Sequence, residues 1–206
     1  MPLRLLDDTT IHEFLPDLRP EVETLTLNHK SDYYRSRLVH RFGGLWLDAD
    51  VIALRPLHEL LDGLVDHDVA LYGREPGNLS ANCFAGLEGS PLLAEWMILQ
   101  DHALESHETI PWNGLGKAPL VAAARGYDYH RLPVERIAPL RWQEWKRLLS
   151  KRRSPKRYLK ADPILFMLYN NFLYDKFNDM SVADILEADM LISKLFRIAL
   201  GPNNGH

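Results

Sequence analysis

Two aspartates, Asp48 and Asp50, follow the apolar run Leu45, Trp46 and Leu47, which we expect to form a short buried strand. Side chains alternate along a strand, so residues two apart point to the same side and both carboxylates can face one point. Two such carboxylates repel each other unless a cation lies between them. Mg²⁺ and Mn²⁺ prefer oxygen ligands and usually keep positions open for phosphate oxygens. The pair therefore predicts a site for a metal ion and a diphosphate.

A helix is predicted upstream of this strand. Ser31 is a candidate N-cap, and the Gly43-Gly44 pair is a candidate stop signal. Asp32 and Arg35 are three residues apart, so on a helix they are neighbours and form an acid and base pair aimed at a polar ligand. An ordinary surface ion pair, which contributes little to stability, is the alternative explanation.

The whole string resembles the sugar-binding region of family 32-type glycosyltransferases. It reads S-D-x-x-R, then an apolar helical stretch, then G-G-hydrophobic-aromatic-hydrophobic-D-x-D. That group includes capsular polysaccharide transferases, initiation-specific mannosyltransferases and alpha-1,4-glycosyltransferases. The likeness extends from about residue 2 to about residue 171, and its specific part is residues 30–57. Eight residues match in order: Ser31, Asp32, Arg35, Gly43, Gly44, Trp46, Asp48 and Asp50.

The resemblance implies roles for four charged residues. Asp50 resembles the direct ligand of a divalent metal, Mn²⁺ or Mg²⁺. Asp48 is similar to the aspartate that supports the metal and touches the donor sugar or ribose. Asp32 and Arg35 resemble the pair that holds the transferred sugar.

Four positions bear on the likeness to the family pattern. Trp46 stands where the family has an aromatic residue near the nucleotide, although burial in the core is the commoner explanation for a tryptophan. Asn82, in the string NCFAG, resembles a contact to the sugar or diphosphate, and a loop asparagine that satisfies its own turn is the alternative. In alpha-1,4-type relatives a His-Leu-Trp-Asn element follows later. Met167 occupies the place of that histidine, and Asn170 the place of the asparagine.

The expected fold is α/β: a GT-A-like single domain over residues 1–206, with a mainly parallel sheet flanked by helices. The chain opens at what resembles the family's second strand, so we expect the first nucleotide-binding strand to be lacking. Residues 160–206 are predicted to form a helical C-terminal extension or lid. Strands are expected at residues 3–6, 45–47, 51–54, 68–72, 81–87 and 128–132, and helices at 9–15, 31–42, 90–104 and 116–125.

Composition limits the classes of protein to consider. The chain has 206 residues, 46% of them hydrophobic and 25% charged, which suffices for one sizeable core. A formal net charge of -4 argues against a generally basic nucleic-acid binder. The single cysteine, Cys83, excludes an intrachain disulfide. No run of apolar residues is long enough for a membrane span, so we expect a cytoplasmic protein.

One segment, residues 141–160, is strongly basic. It carries nine lysines and arginines against the single acid Glu144. Such a segment can rest on anionic lipid headgroups as a peripheral membrane contact, or hold an acidic or phosphate-bearing acceptor. A solvated helix and loop is the alternative.

Together with these patterns, the resemblance implies a metal-dependent hexosyltransferase of the polysaccharide-biosynthesis type. It would move a sugar from a nucleoside diphosphate sugar to a hydroxyl on a glycan, lipid-linked or protein acceptor, with retention of anomeric configuration. No residue is assigned as a catalytic nucleophile. Two alternatives stay open: a degenerate, non-catalytic binding domain of the same fold, and a phosphatase in which the first aspartate of the D-x-D motif is phosphorylated. The phosphatase alternative leaves Asp32 and Arg35 unexplained.

Overall fold

The computed structural model describes residues 5–74, 77–106 and 109–201. Short 3-10 helices connect the main elements. The strands are β1 (Gly44–Leu47), β2 (Val51–Ala53), β3 (Val69–Gly73), β4 (Leu79–Gly86), β5 (His130–Leu132) and β6 (Leu165–Met167). The helices are α1 (Ile11–Phe14), α2 (Leu27–Phe42), α3 (Pro91–Glu105), α4 (Lys117–Ala123), α5 (Val134–Ile137), α6 (Asn170–Phe177), α7 (Val182–Glu187) and α8 (Leu191–Leu200).

The chain divides into two compact units. Unit 1 consists of residues 1–46 and 63–131, and unit 2 of residues 47–62 and 132–206. A four-stranded sheet has the order β1-β4-β3-β5, and β2 pairs with β6 in a second sheet. The β3–β4 and β2–β6 pairs are antiparallel. The predicted α/β class is confirmed as a mixed sheet flanked by helices, consistent with a GT-A-like fold. A single domain over residues 1–206 stays a prediction.

The core of unit 1 lies between the sheet and helices α3 and α4. Strand β3 is buried along its whole length, as expected for a strand covered on both faces. Phe84 of β4 packs edge-on against Trp96 of α3, with ring centroids 5.3 Å apart. Leu93 and Leu120 of the two helices complete this apolar layer.

Helix α2 is joined to α3 by buried polar groups rather than by apolar contact alone. Gln100 Oε1 accepts hydrogen bonds from Ser36 Oγ at 2.8 Å and from Arg37 Nη1 at 2.7 Å. The Tyr33 hydroxyl donates to Asp101 at 2.7 Å. Burial raises the pKa of Tyr33, so its hydroxyl stays protonated as a donor. Because each bond requires a particular partner, this network sets the register of the two helices.

The boundaries of α2 correct one prediction. Thr26, not Ser31, is the N-cap, and its hydroxyl accepts a hydrogen bond from the His29 N–H at 3.4 Å. Ser31 therefore lies inside the helix. The predicted stop is confirmed, because Gly43 has a φ of 63°, a left-handed conformation that favours glycine. A Cβ at Gly43 would also come within 3.1 Å of the Glu88 nitrogen.

Unit 2 has its own apolar core. Ile52 of β2 and Phe166 of β6 pair across the small sheet. Leu148 and Leu195 are buried against them. The expectation of a wholly helical segment 160–206 is wrong at residues 165–167, which pair with β2 and form β6. Helices α6, α7 and α8 follow, as predicted.

The other elements follow the expected order with shifted ends. Of the strand expected at residues 3–6, residues 3 and 4 lie outside the described residues, and residues 5 and 6 are not in a strand. Helix α3 begins after Ser90 as predicted, but the Ser90 hydroxyl is buried without a hydrogen-bond partner among the described residues. Within the described part of the chain, none of the helices has the length and apolar character that crossing a bilayer requires.

Candidate active site

Asp32 and Arg35 lie one turn apart in α2 and form an ion pair. Arg35 Nη2 is 3.1 Å from Asp32 Oδ1, and the two side chains are 7% and 15% exposed. The alternative of a solvated surface pair is therefore wrong. Withdrawing two charges from water is costly unless geometry and further hydrogen bonds offset it.

Three groups fix the guanidinium of Arg35. Its Nε and Nη2 donate to the backbone oxygen and the hydroxyl of Ser31 at 3.2 and 3.1 Å. Its Nη1 donates to the Ala81 carbonyl of β4 at 2.8 Å. Its Cζ lies 5.1 Å from the centre of the Trp46 ring, within cation–π range. The structure thus brings together Arg35, Asp32 and Trp46, three of the residues predicted to bind the donor.

The segment before α4 lies close against the Asp32 side chain. A Cβ built on Gly116 would lie 2.5 Å from Asp32 Oδ2, so a larger residue there would displace the carboxylate or this segment. Gln100 Nε2 donates to the backbone oxygens of Asp32 at 2.9 Å and Leu115 at 2.7 Å. Gln100 was not singled out from the sequence. Its signal is a polar residue at helical spacing from the buried Leu93 and Trp96.

Asn82 lies within β4 and not in a loop, so the alternative of an asparagine satisfying its own turn is wrong. Its Oδ1 accepts hydrogen bonds from the Tyr72 hydroxyl at 2.6 Å and from Ser80 Oγ at 2.7 Å. These bonds fix which way the amide faces. Asn82 is the chain neighbour of Ala81, whose carbonyl holds Arg35.

Asp48 and Asp50 lie in the connection between β1 and β2. The carboxylates follow the end of the strand as predicted, but the expectation of a buried strand is wrong, because Leu45, Trp46 and Leu47 are only half-buried. The chain bends at residues 49 and 50, so strand alternation does not decide where the two side chains point. Both aspartates are half-buried.

Asp50 is fixed by the turn between β6 and α6. Its backbone oxygen accepts from the Leu168 N–H at 2.9 Å. Its Oδ2 accepts from the Asn170 N–H, also at 2.9 Å. Val51 pairs with Met167. The segment that resembles the His-Leu-Trp-Asn element therefore lies directly beside Asp50, with methionine in place of histidine.

Tyr169 gives this turn its shape. Its φ of 60° and ψ of 58° are left-handed, a conformation that non-glycine residues rarely adopt and that is often found at functional sites. Its hydroxyl donates a hydrogen bond to the Leu140 carbonyl. No pattern in the sequence identifies a left-handed tyrosine in advance.

The carboxylate of Asp50 retains the capacity to bind a cation. A carboxylate offers about four acceptor sites, and the Asn170 N–H occupies one of them. In the described part of the chain, no group of three or more His, Cys, Asp and Glu side chains could hold a metal ion. A Mg²⁺ or Mn²⁺ ion bound here would therefore take one or two carboxylates and complete its coordination with phosphate oxygens and water.

The chain matches human alpha-1,4-N-acetylglucosaminyltransferase. The two sequences are 22% identical over 209 aligned residues, which cover 94% of this chain and 56% of the human protein. The chain is similar to a glycosyltransferase. It spans little more than half the length of that relative. No family model matches the chain. No solved structure matches it either.

This similarity supports sugar transfer as the general chemistry of the chain. The metal, the particular donor and the stereochemistry require a separate argument.

Proposed function

We propose that this protein is a metal-dependent glycosyltransferase that uses a nucleoside diphosphate sugar as donor and a hydroxyl group as acceptor. The observation that carries the proposal is the similarity of 94% of the chain to a sugar transferase. The nearly buried Asp32–Arg35 pair supports it, because more contacts hold this pair in place than an ordinary surface ion pair needs.

Asp32 and Arg35 orient the transferred sugar in this proposal. A carboxylate and a guanidinium side by side supply acceptors and donors for neighbouring sugar hydroxyls. Ser31, Ala81 and Trp46 hold Arg35 in one position, so little side-chain entropy is lost when the sugar binds. Holding a reactant in the right orientation can lower a barrier by several kcal/mol.

Asp48 and Asp50 would hold Mn²⁺ or Mg²⁺ against the diphosphate. When bound, the ion supplies neutralisation of the charge that develops on the leaving diphosphate. The bonds from Leu168 and Asn170 position Asp50 for this task. Trp46 and Asn82 would contribute contacts to the nucleotide and the sugar.

The expected stereochemical outcome is retention, as the resemblance implies, and no residue is assigned as a nucleophile. The acceptor hydroxyl belongs to a glycan, a lipid-linked sugar or a protein.

Hydrolysis of nucleoside diphosphate sugars tests the proposal, because transferases usually transfer slowly to water when no acceptor is present. We expect release of nucleoside diphosphate from at least one donor in a panel that varies base and sugar. The release should require Mn²⁺ or Mg²⁺ and stop with a chelator. Equal release with the chelator, or hydrolysis of simple phosphomonoesters instead, would contradict the proposal.

A non-catalytic binding domain is the second candidate. Asp50 accepts the first N–H of α6, which is a structural role that a degenerate domain would retain. Met167 in place of a histidine points the same way. Such a domain binds a nucleoside diphosphate or glycan but hydrolyses no donor, so comparing binding with hydrolysis separates the two candidates.

We further propose that residues 141–160 contact anionic lipid headgroups. Two 3-10 helices, Trp142–Leu149 and Pro155–Arg157, carry four of the nine basic side chains, and the other five lie in the segments beside them. In the described chain, Arg147 is the basic residue of this segment with an acidic partner, Glu144 at 2.6 Å. Seven of the nine are exposed: Arg141, Lys146, Lys151, Arg152, Lys156, Arg157 and Lys160.

Sedimentation with vesicles tests this contact. We expect binding to phosphatidylglycerol vesicles and not to phosphatidylcholine vesicles, with loss at high salt because such attraction is screened. Reversing two charges, Lys151→Glu with Arg152→Glu, should abolish binding. Lys176→Glu, at an exposed lysine of α6, is the matched control. Equal binding to both lipids would refute the contact.

A further inference from the structure

Three aromatic rings of unit 2 stack nearly parallel. Phe172 lies 5.9 Å from Trp142 with an angle of 9° between the ring planes, and 5.5 Å from Trp145 with an angle of 13°. Trp142 is 54% exposed and Phe172 is 40% exposed. The stack therefore reaches the surface, unlike the edge-on, buried pair of Phe84 and Trp96.

The chain holds this stack firmly. Trp142, Trp145 and Leu148 follow each other at intervals of three in a 3-10 helix, and residues at that spacing lie on one face. Leu148 is fully buried and anchors the helix to the core. Phe172 lies in the first turn of α6. The rings are thus ordered before any ligand arrives, which lowers the entropy cost of binding.

The turn between β6 and α6 connects the aromatic stack to Asp50. Asn170, two residues before Phe172, donates its N–H to the Asp50 carboxylate at 2.9 Å. Tyr169 donates its hydroxyl to the carbonyl of Leu140, two residues before Trp142. This turn therefore connects the aromatic stack to the candidate metal ligand within unit 2.

Exposed amide side chains flank the rings in the sequence: Gln143, Asn170 and Asn171. Lys146 Nζ also lies 5.9 Å from the centre of the Trp145 ring. Amides donate and accept hydrogen bonds at once, which matches hydroxyl groups. Burying them among lipid acyl chains would be costly.

We propose that Trp142, backed by Phe172, forms a platform on which a pyranose ring of the acceptor stacks. An aromatic face is electron-rich, and the axial C–H groups on one face of a pyranose carry a complementary partial positive charge. The amides of Gln143, Asn170 and Asn171 would bind the outward hydroxyls. This inference rests on the proposed function and narrows it, because it assigns the acceptor to glycans rather than to protein hydroxyls.

Direct binding tests the platform without requiring catalysis. Saturation-transfer NMR with a panel of gluco-, galacto- and manno-configured di- and trisaccharides should detect binding of at least one by the wild type. Trp142→Ala should weaken that binding roughly tenfold, about the loss expected for one stacking aromatic. Trp142→Phe should weaken it less. Tyr174→Ala is the matched control. Tyr174 is a 60% exposed aromatic residue of α6, the helix that contains Phe172, and it lies outside the stack.

Once a donor has been identified, the same variants distinguish effects on acceptor binding from effects on donor binding. Trp142→Ala should raise the acceptor KM with a much smaller change in the nucleotide-sugar KM. Four results would overturn the platform: no oligosaccharide bound by the wild type, equal effects of Trp142→Ala and Tyr174→Ala, a raised nucleotide KM instead, or lost vesicle binding with oligosaccharide binding unchanged. Absence of donor hydrolysis alone would contradict the proposed function and leave the binding result standing.

Discussion

The carboxylate of Asp50 accepts the backbone N–H of Asn170 at 2.9 Å, so the candidate metal ligand also begins helix α6. One side chain thereby serves the fold and the proposed chemistry. Any experiment on Asp50 must separate these two roles.

Asp50→Asn is the substitution that separates them. Asparagine keeps an oxygen for the Asn170 N–H but loses the negative charge, so we expect near-normal stability. Hydrolysis of the nucleotide sugar should fall on the order of 100-fold, as when one electrostatic group is removed from an active site. Asp62→Asn, at an exposed acid of the same unit, should leave both unchanged. Full hydrolysis by Asp50→Asn would refute the metal assignment.

Asp50→Ala should also affect folding. It removes the acceptor from the first N–H of α6, and loss of such a helix-capping bond costs about 1 kcal/mol. Urea unfolding monitored by circular dichroism measures the difference between the Ala and Asn variants. Equal stabilities would mean that the bond to Asn170 contributes nothing.

Arg35→Lys tests whether the fork of the guanidinium is needed. Lysine keeps the charge but cannot reach Ser31, Ala81 and Asp32 together. We expect donor binding to fall and the protein to be destabilised. Arg35→Ala should cost about 3 kcal/mol, because Asp32 is left as a nearly buried charge without this partner.

The more exposed pair of Arg19 and Glu21, 3.1 Å apart with side chains 30% and 36% exposed, provides the control for Arg35. Solvent screens that pair, so Arg19→Ala should change the free energy of unfolding much less. If Arg35→Ala and Arg19→Ala lowered the free energy of unfolding in urea by similar amounts, burial of the Asp32–Arg35 pair would not contribute to stability.

Gly116→Ala probes the position of the Asp32 carboxylate. The new methyl group would lie 2.5 Å from Asp32 Oδ2, so either the aspartate or the segment before α4 must move. We expect weaker donor binding and a lower melting temperature. Gly126→Ala is the matched control, because nothing lies within 4 Å of a Cβ there. Equal behaviour of the two variants in thermal melts and donor titrations would contradict the close approach.

Tyr169→Gly and Tyr169→Ala together test the left-handed turn. Both remove the hydrogen bond to Leu140, but only glycine adopts φ near 60° without strain. We expect the glycine variant to be the more stable of the two, by about 1 kcal/mol. A more stable alanine variant in urea unfolding would show that the turn is not strained.

The order of elements followed from local patterns, because each depends on neighbouring residues. The Gly43-Gly44 stop and the apolar strand before Asp48 are examples. The start of α2 was misplaced because Thr26 and Ser31 are both good N-caps, and tertiary packing made the choice. Strand β6 was missed because a three-residue strand exists only through pairing with β2.

The candidate site was predicted unevenly for the same reason. Asp32, Arg35, Asp48 and Asp50 follow from spacing. The contacts that hold them come from residues distant in sequence: Ala81, Gln100, Gly116 and Asn170. Nothing local in the sequence joins Phe172 to Trp142, so the aromatic stack emerges only from the fold.

The most direct test of the account is the melting temperature of the protein with nucleoside diphosphates, measured with and without Mn²⁺. A ligand stabilises the folded state in proportion to its affinity and concentration. We predict that at least one nucleoside diphosphate raises the melting temperature only when Mn²⁺ is present, and that Asp50→Asn abolishes this rise. No stabilisation by any nucleoside diphosphate, or equal stabilisation of wild type and Asp50→Asn, would contradict a metal-dependent donor site.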